Sequence, residues 1–166
     1  MKKSIGLSVI AFALIVPLKA EAITASYTVD AFRNATGLGS GLPASVFAGE
    51  SFSISVDPLD LWSAGPLPRW SNANGITGPD LIATGLPDVN GDDPGVPAGT
   101  VIGSNIFGLP SLNGLTAPFG TLVGQWGERS YFAIGTAYTG VALDNTLKLF
   151  YFDTPGFHND NSGSIL

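Results

Sequence analysis

The run Thr146-Leu147-Lys148-Leu149-Phe150-Tyr151-Phe152-Asp153 (TLKLFYFD) decides the fold. It is rich in large apolar and aromatic residues, and the turn-forming pair Asp144-Asn145 precedes it, so it reads as a strand. Alternate residues of a strand share a face, which puts Leu147, Leu149, Tyr151 and Asp153 on one side and leaves Asp153 where the chain quits the sheet. The same grammar recurs upstream. Ser51 to Val56 alternates strictly, so Phe52, Ile54 and Val56 should face a core, and Asp57-Pro58 stops that strand. Residues 120–126 (GTLVGQW) and 131–136 (YFAIGT) read as neighbouring strands joined by Gly127-Glu128-Arg129-Ser130. Few stretches carry a helical period and none is convincingly capped. With 22 Gly and 12 Pro spaced between short apolar segments, the chain reads as an all-β sandwich or barrel. Prolines and glycines from Gly75 to Pro118 imply long loops, with one short strand at Thr100-Val101-Ile102.

The first 22 residues read as a secretory leader, and 23–166 as a single domain. Lys2 and Lys3 form a positive start, Ile5 to Leu18 an apolar run too short to cross a bilayer, and Ala20-Glu21-Ala22 a small-x-small cleavage site. The expectation is an exported protein: periplasmic, on the cell surface or extracellular. Without the leader, four basic residues face twelve acids, a balance of about −8. Such a surface repels phosphate backbones, so nucleic acid is not an expected partner. Absence of cysteine excludes disulfides, thiol catalysis and thiolate metal sites.

Four places could carry chemistry. Beyond Asp153 the chain turns through Thr154-Pro155-Gly156 and brings His158, Asn159, Asp160 and Asn161 together. A strand–loop–strand here folds Asp160 and Asn161 back toward Asp153. Two carboxylates, an amide and loop carbonyls make a set of hard oxygen donors that suits calcium. Chemistry alone also allows a polar hairpin loop with Asx-turns. Asp88-Val89-Asn90-Gly91-Asp92 imitates the start of a calcium loop but lacks its closing glutamate and following helix, so a solvated turn or a second calcium site are both open. Trp62 and Trp70 bracket a Gly-Pro turn and could stack on a sugar or simply fill a core. A triad of His158, Ser162 and Asp153 has no nucleophile elbow or oxyanion-hole pattern behind it, and no two acids stand out as a glycosidase pair. A binding domain is expected rather than an enzyme.

Three motifs, in order, resemble the galactophilic bacterial lectins of the LecA (PA-I) type. They are Trp62-Ser63-Ala64-Gly65-Pro66 with Arg69-Trp70, then Gly114-Leu115 followed by Gly120-Thr121-Leu122-Val123-Gly124, and finally Asp153 to Ser164. The resemblance covers about Ser51 to Leu166 apart from 76–110, and it extends to LecA-like domains of exported bacterial proteins. It implies a jelly-roll-like β-sandwich of two antiparallel sheets, with one calcium that coordinates sugar hydroxyls. Carried over residue by residue, it implies metal ligation by the carbonyls of Ala64 and Phe157 and the side chains of Asp153, Asp160 and Asn161. It further implies carbohydrate contacts from Asn113, Asp153 and the backbone of Thr154. Two departures stand out: Asp160 replaces the family's usual asparagine, and Pro110 with Asn113 stands where a His and a Gln read galactose. The implied function is calcium-dependent glycan binding of open sugar specificity, as a monomer or a homo-oligomer. The rival is a structural or adhesive module in which calcium only pins the loop. Leu166 arrives just as a final strand begins, the pattern expected of a fragment.

Overall fold

The computed structural model describes residues 23–91, 93–105 and 108–166; the expected leader lies outside them. Among the described residues fourteen strands run in chain order: β1 (Val29–Asp30), β2 (Leu42–Ser45), β3 (Ser51–Ser55), β4 (Trp62–Ser63), β5 (Trp70–Ser71), β6 (Leu81–Ile82), β7 (Val101–Gly103), β8 (Ser111–Leu112), β9 (Leu115–Thr116), β10 (Leu122–Trp126), β11 (Phe132–Ala133), β12 (Ala137–Val141), β13 (Thr146–Tyr151) and β14 (Ser162–Ile165). Two 3-10 turns, Thr36–Leu38 and His158–Asp160, are the only helical pieces among the described residues. None of these residues forms a helix long and apolar enough to cross a membrane. The protein is all-β, as its turn-rich composition implies.

Two four-stranded antiparallel sheets carry the architecture, one in the order β1-β14-β4-β5 and the other β11-β10-β13-β2. They meet through one apolar layer. Val29, Trp62 and Ile165 come from the first sheet, and Leu122, Trp126, Leu147, Leu149 and Tyr151 from the second. The Trp62 and Tyr151 rings meet edge-on at 4.7 Å, and Trp62 is fully buried. The period-two reading of β13 holds: its odd residues face this layer, while Phe150 joins Phe152, Val123 and Ala117 in a second cluster on the opposite face. Leu112, Leu115 and Tyr131 cover that second cluster. Burial of aromatic side chains on both faces of β13 makes it the centre of the fold, each such ring contributing on the order of 2 kcal/mol.

The β3–β12 ribbon packs against the core through Phe52, Ile54 and Tyr138. Phe52 and Ile54 are half-buried and Val56 is buried, all packed on that core as their alternation implies. Residues 131–136 do not form a single strand. Ile134 and Gly135 both donate to the Leu122 carbonyl, and Gly135 (φ 68°) turns the chain, so β11 ends and β12 begins. In the 76–110 stretch the strand expected at residues 100–102 appears as β7, paired with β6.

Candidate calcium site at the closing loop

β14 (Ser162–Ile165) pairs with β1 on one side and with β4 on the other. This pairing fixes the closing loop between two sheets. β13 delivers Asp153 two residues beyond its end, and β14 takes up the chain immediately after Asn161.

Asp153 and Asn161 meet directly, the Asn161 amide donating to Asp153 Oδ2 at 2.8 Å. Both are buried. Asp153 Oδ1 accepts the Thr154 N–H at 2.6 Å, so each carboxylate oxygen has one donor and keeps a lone pair. A second anchor comes from the N-terminal loop. The Thr36 hydroxyl donates to the Asp153 carbonyl at 2.5 Å and accepts the Asp153 N–H at 2.9 Å, and the Asn161 amide also donates to the Ala31 carbonyl at 3.2 Å. Burial raises the Asp153 carboxyl above the ordinary carboxylate value and the Asp160 charge raises it further, against the Asn161 and Thr154 donors and His158. Burial, Asp153 and Asp160 together push the enclosed Tyr151 phenol well up.

The telling atom is Asn161 Oδ1. It is sealed from solvent and accepts no hydrogen bond. A buried acceptor without a partner costs roughly 1–3 kcal/mol. The Asn161 amide nitrogen is turned to Asp153 and Ala31, which leaves its oxygen open to a hydrogen-bond donor or a cation.

Asp160 sits over the turn that follows β4. Its Oδ2 pairs with Arg69 Nη1 at 3.2 Å, and a Cβ at Gly65 would lie only 2.6 Å from the same oxygen. Gly65 also has φ 124°, a conformation that L side chains rarely adopt. Glycine therefore lets the Ala64–Gly65 backbone approach the carboxylate. The turn is held by Ser63, whose hydroxyl accepts the Gly65 N–H and donates to the Gly65 carbonyl. Ala64 is half-buried and donates its N–H to the Arg69 carbonyl. Phe157 caps the 3-10 turn with an exposed side chain, its N–H bound to the Thr154 carbonyl.

The structure thus gathers Asp153, Asn161, Asp160 and the Ala64–Gly65 turn around one loop, with Phe157 and Thr154 in it. Among the described residues no three His, Cys, Asp or Glu side chains converge as a metal cluster. Two carboxylates, one amide oxygen and backbone carbonyls form a donor set that suits calcium better than zinc.

Other sequence candidates fall elsewhere. Asn113 (φ 43°) and Gly114 (φ 81°) form the two-residue turn of the β8–β9 hairpin, and the Asn113 side chain donates to the Arg129 carbonyl at 3.1 Å. Its described hydrogen bonds run to Arg129 and Tyr131, not to the closing loop. Trp62 is a core residue whose indole N–H donates to the Gly120 carbonyl at 2.8 Å, so it offers no face to a sugar. Trp70 is half-buried and lines a shallow cavity of about 170 Å³ with Asn72, Thr77 and Asp80. His158 lies beside Phe32, ring centroids 5.8 Å apart, with Nδ1 buried and without a partner. Within Asp88-Val89-Asn90, Asp88 binds the Gly91 and Leu61 N–H groups while the Asn90 amide donates to the Ser164 carbonyl and hydroxyl. Asp92, the third residue of that spacing, lies outside the described residues.

Sequence reasoning missed Ala31 and Thr36, which hold Asp153 and Asn161 from far away in the chain. No local pattern marks them. Comparison of the chain with protein-family models and with curated proteins gives no match.

Proposed function

We propose that this is an exported, calcium-dependent carbohydrate-binding domain whose ion sits in the closing loop. In this reading the side chains of Asp153, Asp160 and Asn161 and the carbonyls of Ala64 and Phe157 hold the ion. The observation that carries it is the buried, unpartnered Asn161 Oδ1 beside the buried Asp153 carboxylate. Two carboxylates neutralise one divalent ion. Calcium takes about 6–8 oxygens, so positions remain for water or for two neighbouring hydroxyls of a sugar. The loop's outer side suits that exchange, since Asp160 and Phe157 are exposed while Asp153 and Asn161 are not. Asn113 engages Arg129 here, so sugar contacts are assigned first to the ion and the Thr154–Phe157 backbone.

A second reading has its own observation. Asp153 and Asn161 tie together the Ala31 and Thr36 segment, β13 and β14, so a bound ion could serve only to lock the two sheets in an adhesive or structural module. Calorimetric titration of calcium into the full chain, followed by a glycan array with and without chelator, separates the two. Calcium binding with chelator-sensitive glycan binding supports the lectin. Calcium binding with no glycan retained supports the structural module. No calcium binding overturns both.

A further inference from the structure

Outside the closing loop, a carboxylate lacks a partner for one of its oxygens. Asp60 is fully buried in the turn between β3 and β4; its Oδ2 accepts the Leu166 N–H at 2.7 Å, while Oδ1 is sealed and accepts nothing. Among the described residues no Lys, Arg or His pairs with it. Its neighbours are acids. Asp88 Oδ2 accepts the N–H of Leu61, the residue next to Asp60, at 3.2 Å, which brings a second carboxylate against the same turn. Asp57 starts the turn, its carbonyl accepting the Asp60 N–H at 3.0 Å. Burial raises the Asp60 carboxyl, the Leu166 N–H opposes this, and the charges of Asp88 and Asp57 raise it further.

A sealed carboxylate oxygen among other acids needs positive charge, either a proton or a cation. A proton on Asp60 asks nothing of Asp88. A cation draws on both the sealed Asp60 oxygen and the Asp88 carboxylate bonded to the neighbouring residue. We propose that Asp60 and Asp88 bind a second hard cation of the calcium class, where the β3–β4 turn meets the end of β14. Two carboxylates balance a divalent charge, with carbonyl oxygens of the turn and water completing the oxygen shell. This ion is separate from the closing-loop ion and stands independently of the carbohydrate reading. It would fasten the end of the strand that begins beside Asn161.

Calorimetric titration of calcium into the full chain tests it, with circular dichroism to verify folding of each variant. The expected result is two calcium ions per wild-type chain and one per chain in Asp88→Asn, which alters a half-buried group and spares the core. Asp60→Asn should behave the same way. Asp80→Asn, an exposed acid bonded to the Ser104 hydroxyl, should retain both ions. In Asp153→Asn the remaining ion should persist, and its affinity should fall at least tenfold when Asp88→Asn is added. One ion per wild-type chain that Asp153→Asn removes and Asp88→Asn leaves intact would overturn the second site. One ion removed by Asp88→Asn and left by Asp153→Asn would uphold this site and overturn only the closing-loop reading. No calcium bound by the folded wild-type chain overturns both.

Discussion

Replacement of Asp153 by asparagine removes one charge while keeping the shape of the side chain, and its effect should depend on calcium. In the calcium-free protein two terms oppose each other. The carboxylate now accepts two donors, Thr154 N–H at 2.6 Å and the Asn161 amide at 2.8 Å. An asparagine has one acceptor oxygen, so one of these donors is left facing an N–H, a loss of about 1–3 kcal/mol. Against this, the variant no longer buries a charge whose desolvation raises the carboxyl's pKa. The two terms largely cancel, and the calcium-free variant should stay within about 2 kcal/mol of wild type. Calcium separates the proteins. An ion held only by the folded state, at a hundred times its Kd, adds about 2.7 kcal/mol. For a chain of this length that is a rise of about 10 °C in Tm. Thermal unfolding in chelator and in saturating calcium measures it, with an Asp88→Asn background to leave only the closing-loop ion. The rise should appear with Asp153 and vanish with Asp153→Asn. An equal rise in both would refute the assignment of Asp153 as a ligand.

Three other outcomes follow from the geometry. Gly65→Ala puts a Cβ against the Asp160 carboxylate at a φ of 124°, so it should cost about 1–3 kcal/mol of stability and weaken calcium about tenfold without touching a ligand, as calorimetry would show. Arg69→Ala frees Asp160 from a partly exposed ion pair worth at most about 1 kcal/mol, so calcium affinity should rise by up to about fivefold in the same titration. Asp60 and Asp153 both have raised folded values, so the folded protein binds protons more readily than the unfolded chain. Their stabilising contribution is complete below the ordinary carboxylate value and is lost as pH climbs through the raised ones. In chelator, unfolding followed by circular dichroism should therefore give a higher Tm at about pH 5 than at about pH 7, and saturating calcium should flatten or reverse that slope. A chelator profile that falls on acidification would contradict it.

Much of this was legible along the chain, because β13 and β3 carry their burial pattern in their own residues. Asp153 could be placed at the end of β13 by parity alone. Asp160 and Asn161 followed from loop length. What escaped depends on partners distant in sequence. β2 was invisible because Pro43 interrupts it, yet among the described residues it is an edge strand beside β13, where a missing N–H is tolerated. β12 is diluted by Ala137 and Gly140 and gains its order from pairing with β3. The Asn113-Gly114 turn was readable as a hairpin signal, but its flanking strands are two residues each and carry no period. Thr36 reaches Asp153 across 117 positions, a contact that no local pattern encodes. Asp60 likewise looks like any turn aspartate until the fold encloses it.

The central claim, an ion at the closing loop open to a sugar, is tested most directly by anomalous diffraction from crystals grown with calcium and soaked with the best glycan from an array. The account predicts a calcium peak within about 2.3–2.6 Å of Asp153, Asp160 and Asn161 side-chain oxygens and the Ala64 and Phe157 carbonyls, with two sugar hydroxyls in its outward positions. Strong diffraction with no peak among these oxygens would contradict it.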